Sequence, residues 1–196
     1  MRAPIFAPKV IVDRFIKSKE LWISKRIKLT QNMFKRQYKE GEEFFYFGKE
    51  LKLRHIKTNL KNPLIQVENE NLVVLSDAFS RVSIKKTLLD FYRREAERVI
   101  LKILKKHESK FEHYGKVTVK DYRSKWGSCT SKNNLSFNAK LAMAPKDVIE
   151  YVVLHELSHI QIKNHSKVFW NAVAVIDEKY IEKRKWLNKH HPKLVL

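Results

Sequence analysis

The sequence predicts an α+β fold: an active-site helix against a small, mostly antiparallel sheet, with a helical and β-hairpin region at the N-terminal end. Three observations carry this. Apolar residues recur at helical spacing early in the chain, again from about residue 80 to 110, and again beyond Pro145. Runs that alternate apolar and polar residues lie between those stretches. Gly is scarce, with 4 among 196 residues, and no Pro-, Ser- or Gly-rich tract reads as a linker. The expected division is residues 1–80, N-terminal helices and a small antiparallel sheet, and residues 81–196, the core that carries the chemistry. At this length the two should form one compact unit.

The elements follow in order. After Pro4 and Pro8, the residues Ile11, Phe15, Leu21, Trp22, Ile27 and Leu29 leave one apolar side among Lys and Arg. Beyond Gly41, Phe44-Phe45-Tyr46-Phe47 and Leu51 to Ile56 read as two strands joined at a tight turn around Gly48-Lys49. Leu64 to Val67 and Leu72 to Leu75 add two short strands. From Ser80 to Lys110 the period is helical, with Ile84, Leu88, Phe91, Tyr92, Val99, Ile103 and Leu104 on the buried side. Lys116 to Tyr122 alternates, and Leu135 to Leu141 reads as its neighbouring strand. Pro145 suits the first turn of a helix, with Asp147 near its positive end. A final helix from about Ser166 to Asn188 is expected to bury Phe169, Trp170, Val173, Ile176 and Ile181. No internal repeat is apparent.

Composition narrows the partners. Lys and Arg number 41 against 21 Asp and Glu, a formal charge of +20, enough to attract polyanions. Nucleic acid bound through a basic surface is one reading; Lys that merely keeps helix faces soluble is the other. The lone Cys129 excludes an intramolecular disulfide and fits a reducing, cytoplasmic location. Apolar runs such as Val152 to Leu154 are far short of a membrane span, and Met1 to Val12 lacks the apolar stretch of a secretory signal.

The chemistry concentrates in His155-Glu156-Leu157-Ser158-His159. Two His residues four apart on a helix differ by about 40° around its axis, so both imidazoles face one side and supply half of a tetrahedral zinc shell. Glu156 stands about 100° round, where it borders the ion's open position without binding it. A carboxylate there can accept a proton from zinc-bound water, which makes Glu156 the candidate catalytic base. A catalytic Zn2+ needs a third protein ligand, and among His55, His113, His165, His190 and His191 the near one is His165. On a continuing helix it would face away, about 240° from His159. The helix must therefore stop near Ile162 or Lys163. Asn164 is the expected breaker through a left-handed backbone, and Ser166 the cap of the next helix. Tyr151, Val152, Val153, Leu154, Leu157 and Ile160 surround the motif with apolar side chains, as a buried site requires.

The segments Tyr122-Arg-Ser-Lys-Trp-Gly-Ser-Cys129, Leu135-Ser-Phe-Asn138, Tyr151 to His159, Asn164-His165-Ser166 and Phe169-Trp170 resemble the YgjP-like metallopeptidase family, related to the WLM and SprT-like minimal zincins. The likeness spans roughly residues 10 to 190. It implies a zincin core over residues 81–196, with His155, His159 and His165 as metal ligands and Glu156 as general base. Two departures stand out. Lys125 occupies a place where the family usually has Arg. Members also usually begin with an extra strand pair before the Arg-x-Pro seen here as Arg2-Ala3-Pro4, so a truncated or naturally short chain is expected.

Neighbouring residues allow several roles. Cys129 could be a ligand or a switch, but a lone Cys is more commonly a small buried hydrophobe. Gly127 suits a bulge or close backbone approach, and Trp126 packing against the His-bearing helix. The strand Leu135–Leu141 could run along the cleft and take an extended peptide at its edge. Asn138 could orient a ligand or end the strand, and Phe169 and Trp170 read as core. The basic stretch Lys179 to Lys193 reads as a solvated helix end. The expected activity is therefore a zinc-dependent hydrolase acting on a peptide or protein. The alternatives are a metal-dependent nucleotide or phosphoanhydride hydrolase, and a nucleic-acid-associated protein or DNA-stimulated protease.

Overall fold

In the computed structural model, which describes residues 8–22, 24, 36–111 and 113–196, the chain divides into two units at Lys35 and Arg36. In the first, helix α1 spans Lys9–Ser18, with Pro8 at its N-cap. Ile11, Phe15, Leu21 and Trp22 are exposed, so the apolar side marked by the periodicity is not buried within its own unit. Ile27, Leu29 and the segment Arg2-Ala3-Pro4 lie outside the described residues.

The second unit opens with a four-stranded sheet of β1 (Glu43–Tyr46), β2 (Lys49–Lys57), β3 (Leu64–Glu68) and β4 (Asn71–Ser76), in the order β1-β2-β4-β3. The β1–β2 hairpin turns through Phe47 and Gly48, both at positive φ (47° and 83°), as a two-residue type I′ turn requires. This sheet was expected to be antiparallel throughout, but β4 runs parallel to β2 and antiparallel to β3. Burial explains the arrangement. Leu72, Val73 and Val74 are apolar on both faces, and the inner position covers both, leaving the more polar β3 at the edge.

Helix α2 (Arg81–His107) starts where the Ser80 hydroxyl accepts the Ser83 amide, and it buries Leu88, Tyr92, Ala96 and Ile100 completely. A three-stranded sheet follows, built from β5 (Val117–Lys120), β6 (Gly127–Cys129) and β7 (Leu135–Asn138) in the order β5-β7-β6. Here β5 and β7 are parallel while β6 and β7 are antiparallel. Strand β7 stops earlier than the alternation suggested. The Asn138 carboxamide oxygen accepts the Lys140 amide, and Ala139–Met143 coils into a buried 3-10 turn.

That turn leads into α3 (Lys146–Gln161), with Pro145 at the N-cap and Asp147 in the first turn. The β1–β2 turn supports the approach to the helix. The Phe47 and Gly48 amides donate to the carbonyls of Ala142 and Met143 at 2.8 and 3.0 Å. A Cβ on Gly48 would come within 2.7 Å of the Pro145 ring, so glycine is required there twice over. The single helix expected over Ser166–Asn188 is two, α4 (Lys167–Ile176) and α5 (Tyr180–His190). Asp177 breaks it with an extended backbone, and Lys183 holds both of its carboxylate oxygens at 2.8 and 2.9 Å. Phe169 and Val173 are buried as expected and Trp170 and Ile176 half-buried, while Ile181 is exposed. No helix among the described residues is long and apolar enough to cross a membrane.

Candidate metal and active site

Helix α3 is buried on almost every side, as a helix apolar all round should be. Tyr151, Val152, Val153, Leu154, Leu157 and Ile160 are all buried, so the polar residues among them are held in a largely dry setting. His155 and His159 project from one side of α3. The helix ends at Gln161, and Ile162 turns away with φ −121° and ψ 100°. The expected left-handed break at Asn164 does not occur, since Asn164 is not among the described residues at positive φ. Instead its side-chain oxygen accepts the Ser166 amide at 3.2 Å, and the Ser166 hydroxyl accepts the Phe169 amide at 3.5 Å to start α4. An extended residue and an Asn-centred turn therefore do the work assigned to left-handed backbone.

The result brings His165 back onto the pair. Its Nε2 lies 3.0 Å from Nε2 of His155 and 3.1 Å from Nε2 of His159. Zinc–nitrogen bonds of about 2.0–2.1 Å at tetrahedral angles would place ligand nitrogens about 3.3 Å apart, so the spacing fits a common divalent ion. The tautomer of His159 fits as well. His159 Nδ1 is 2.9 Å from the Ile162 carbonyl, to which it can only donate, and this leaves a lone pair on its Nε2 facing the other two rings. Lone pairs aimed at one another are mutually repulsive unless a proton or a cation sits among them. Burial, then the His159 and His165 rings, depress the His155 pKa to about 3, and burial and His159 lower that of His165. The rings are thus held neutral, the state in which an imidazole nitrogen can bind a cation. Among the described residues these imidazoles form the group of converging donor atoms, and Cys129 is not part of it.

Phe169 forms the wall behind the rings, with its centroid 4.4 Å from His159 and 4.9 Å from both His155 and His165. Trp170 lies against His165 at 5.5 Å. Their expected reading as core holds for Phe169, which is fully buried, and Trp170 is half-buried against that core.

Glu156 is 6% exposed, and its carboxylate lies against Gly127 of β6. Burial lifts its carboxyl to about 7, against the opposing pull of Lys125 and of a hydrogen bond from the Cys129 amide. A divalent cation nearby would also act to lower it. The close approach expected at Gly127 is to this carboxylate: an added Cβ would stand 2.6 Å from Oε1 and 2.7 Å from Cγ. Asn138, open to two readings, is a brace: its amide donates at 2.9 Å to the carbonyls of Tyr122 and Lys125, fixing the loop that leads into β6. Lys125 donates to Ser128 at 2.8 Å and lies over the Tyr122 ring. Cys129 is half-buried, its thiol pKa raised by burial, with Lys163 4.0 Å away.

A cleft of about 200 Å³ opens beside His155 and Glu156, walled by Trp126, Gly127, Tyr151 and Val152 and by Arg184 and Asn188 of α5. The edge strand beside it is β6, not the Leu135–Leu141 segment, because β7 is the middle strand of its sheet. Three contributors escaped the sequence reading: strand β6, the Ile162 carbonyl and Arg184. A Gly-Ser-Cys strand shows no alternation, and a carbonyl carries no sequence signal. Arg184 sits in a basic stretch that resembles an ordinary solvated helix end.

Comparison with known proteins gives a family and a fold likeness. The sequence model for the YgjP-like, metallopeptidase domain matches residues 1–190. No curated protein matches the chain. Among solved structures, the metallopeptidase zymogen jannalysin of Methanocaldococcus jannaschii is similar with a TM-score of 0.40 and 22% identity, covering 51% of this chain and 97% of its own. The metallopeptidase zymogen abylysin of Pyrococcus abyssi gives 0.37 and 16%, covering 52% of this chain and 93% of its own.

Proposed function

The chain belongs to the YgjP-like family of metallopeptidases, and from that premise we propose that it is a zinc-dependent peptidase with Glu156 as general base. The observation that supports this best is the meeting of three imidazole Nε2 atoms beside a buried carboxylate at the wall of a cleft. His155, His159 and His165 would hold the ion. Zinc, when bound, acidifies water and polarises a peptide carbonyl. Glu156 takes the proton from the attacking water on a carboxylate oxygen and returns it to the leaving amine. The Cys129 amide holds that carboxylate by a hydrogen bond, and the Ile162 carbonyl holds His159 in the tautomer that points Nε2 inward. Tyr151, Val152 and Trp126 line the cleft with apolar surface.

Elemental analysis and a casein-like peptide assay test the proposal together. The wild type should carry close to one zinc per chain, and His165→Ala should lose most of it. Glu156→Gln should keep the metal and lose turnover by about 10²–10⁴-fold. Normal hydrolysis by Glu156→Gln would remove Glu156 from its role. Release of phosphate from nucleoside triphosphates without any peptide cleavage would replace the peptide by a phosphoanhydride.

A further inference from the structure

The cleft wall contributed by α5 carries groups that water activation does not use. Arg184 and Asn188 are four residues apart, so both point to one side of α5, and both line the cleft with His155 and Glu156. The Arg184 guanidinium carbon is 4.6 Å from the centroid of the Trp170 ring, a cation–π contact that holds the group over the ring. Trp170 is itself fixed, lying nearly parallel to His165 (24°) and to Tyr180 (18°). The guanidinium is thereby tied to the same aromatic framework that carries a candidate metal ligand.

Arg184 has no carboxylate partner among the described residues. Other cations near the site are engaged. Lys125 is bound to Ser128 and covers Tyr122; Lys163 donates to Asn133 at 2.7 Å; Lys183, next to Arg184, is taken by Asp177. Glu156 is the one acid among the cleft-lining residues, and it faces β6. The cleft therefore presents a stacked guanidinium fork and a side-chain amide toward an incoming chain, above an apolar floor that includes Val152 and Leu187.

Resting on the peptidase reading above, we propose that Arg184, assisted by Asn188, is the specificity-determining residue of the site and binds a carboxylate of the peptide substrate. A planar fork with parallel N–H donors matches a carboxylate bidentately, and among the described residues no carboxylate occupies those donors. The carboxylate can be an Asp or Glu side chain or the free C-terminus of the peptide. The two differ in outcome: recognition of an acidic side chain makes an endopeptidase selective for acidic sequences, and recognition of the terminus makes an enzyme that trims chain ends.

Binding is read separately from hydrolysis, using zinc-supplemented full-length chain carrying Glu156→Gln so that peptide persists. Three short peptides of the same apolar sequence are titrated, monitored by tryptophan fluorescence: one with Glu and an amidated end, one with Gln and an amidated end, one with Gln and a free C-terminus. One carboxylate-bearing peptide should bind about tenfold more tightly than the neutral one, and which of them does so names the source. Adding Arg184→Gln should erase the preference with the neutral peptide's Kd unchanged, and Arg184→Lys should restore part of it. Equal binding of all three peptides, or a preference that survives Arg184→Gln, overturns the proposal. Hydrolysis by the wild type without any carboxylate preference leaves the peptidase reading standing and sinks this one. A carboxylate preference lost in Arg184→Gln, in a protein whose wild type cleaves no peptide, does the reverse.

Discussion

The two sheets of the second unit share a strand plan and differ in what they bury. In each, one strand is followed by an edge strand, and the next strand returns to lie between them, parallel to the first and antiparallel to the second: β2-β4-β3 and β5-β7-β6. The first sheet buries Phe44, Leu53, Leu72 and Val74 completely. In the second, neither β5 nor β6 has a fully buried residue, and β6 is three residues long. Yet the second sheet lies against Glu156, while the first supports the site helix through the turn that packs on Pro145. The same arrangement thus serves two ends. Strands rich in apolar side chains hold the unit together, and a short strand with glycine at one position lets its backbone approach a carboxylate.

The sharpest way to break this comparison is to give Gly127 of β6 a side chain. Gly127→Ala places a methyl group 2.6 Å from Glu156 Oε1, a distance real Cβ atoms do not tolerate. The carboxylate must move, and a displacement of about 1 Å in a reacting group costs about 100-fold in rate. We expect kcat/KM to fall at least that far while zinc content and the far-ultraviolet spectrum stay normal. An unaltered rate would mean that Glu156 needs no fixed position.

The converse substitution lies in the first sheet. Leu53 is fully buried, and Leu53→Ala removes its packing and leaves a cavity, costing about 2–5 kcal/mol of stability. Urea unfolding should show a lower midpoint, while activity per folded molecule stays within about twofold of wild type. If turnover per folded molecule fell as far as in Gly127→Ala, the division of labour between the sheets would be wrong.

How far each region was legible follows from the same physics. The first sheet announces itself because strands half-buried on one face must alternate, as Leu51 and Leu53 do between Lys and Arg. Its one parallel pairing was not legible, since strand order depends on which strand gains most from the middle position. In the site, His155, Glu156 and His159 were readable because helical geometry fixes their relation over one turn. The return of His165 was expected at Asn164 and Ser166, but through the wrong conformation: hydrogen bonds made by these two side chains decide the turn, and propensity alone favoured a left-handed backbone. Strand β6 and Arg184 were not legible. Gly-Ser-Cys has no pattern, and a stacked Arg is identical in sequence to a solvated one.

The smallest expected effect concerns the joint between the long helix and the site helix, which ties the first sheet's support to the second's. Glu150 on α3 meets His107 and Lys106 of α2, each at 2.8 Å. Burial alone would raise the Glu150 pKa, but the hydrogen bonds from His107 and Lys106 outweigh it and hold the carboxyl below its ordinary value. A carboxylate depressed in the folded state stabilises fully above its unfolded pKa, about 4.3, and that contribution is lost as pH falls through the lower folded value. With the pair partly exposed, the contribution should stay below about 1 kcal/mol. Thermal midpoints followed from pH 7 to pH 3 should therefore fall slightly more steeply at the acid end for the wild type than for Glu150→Gln, with the two curves converging at the lowest pH. Curves that run parallel across the whole range would show that this joint is held by apolar packing alone.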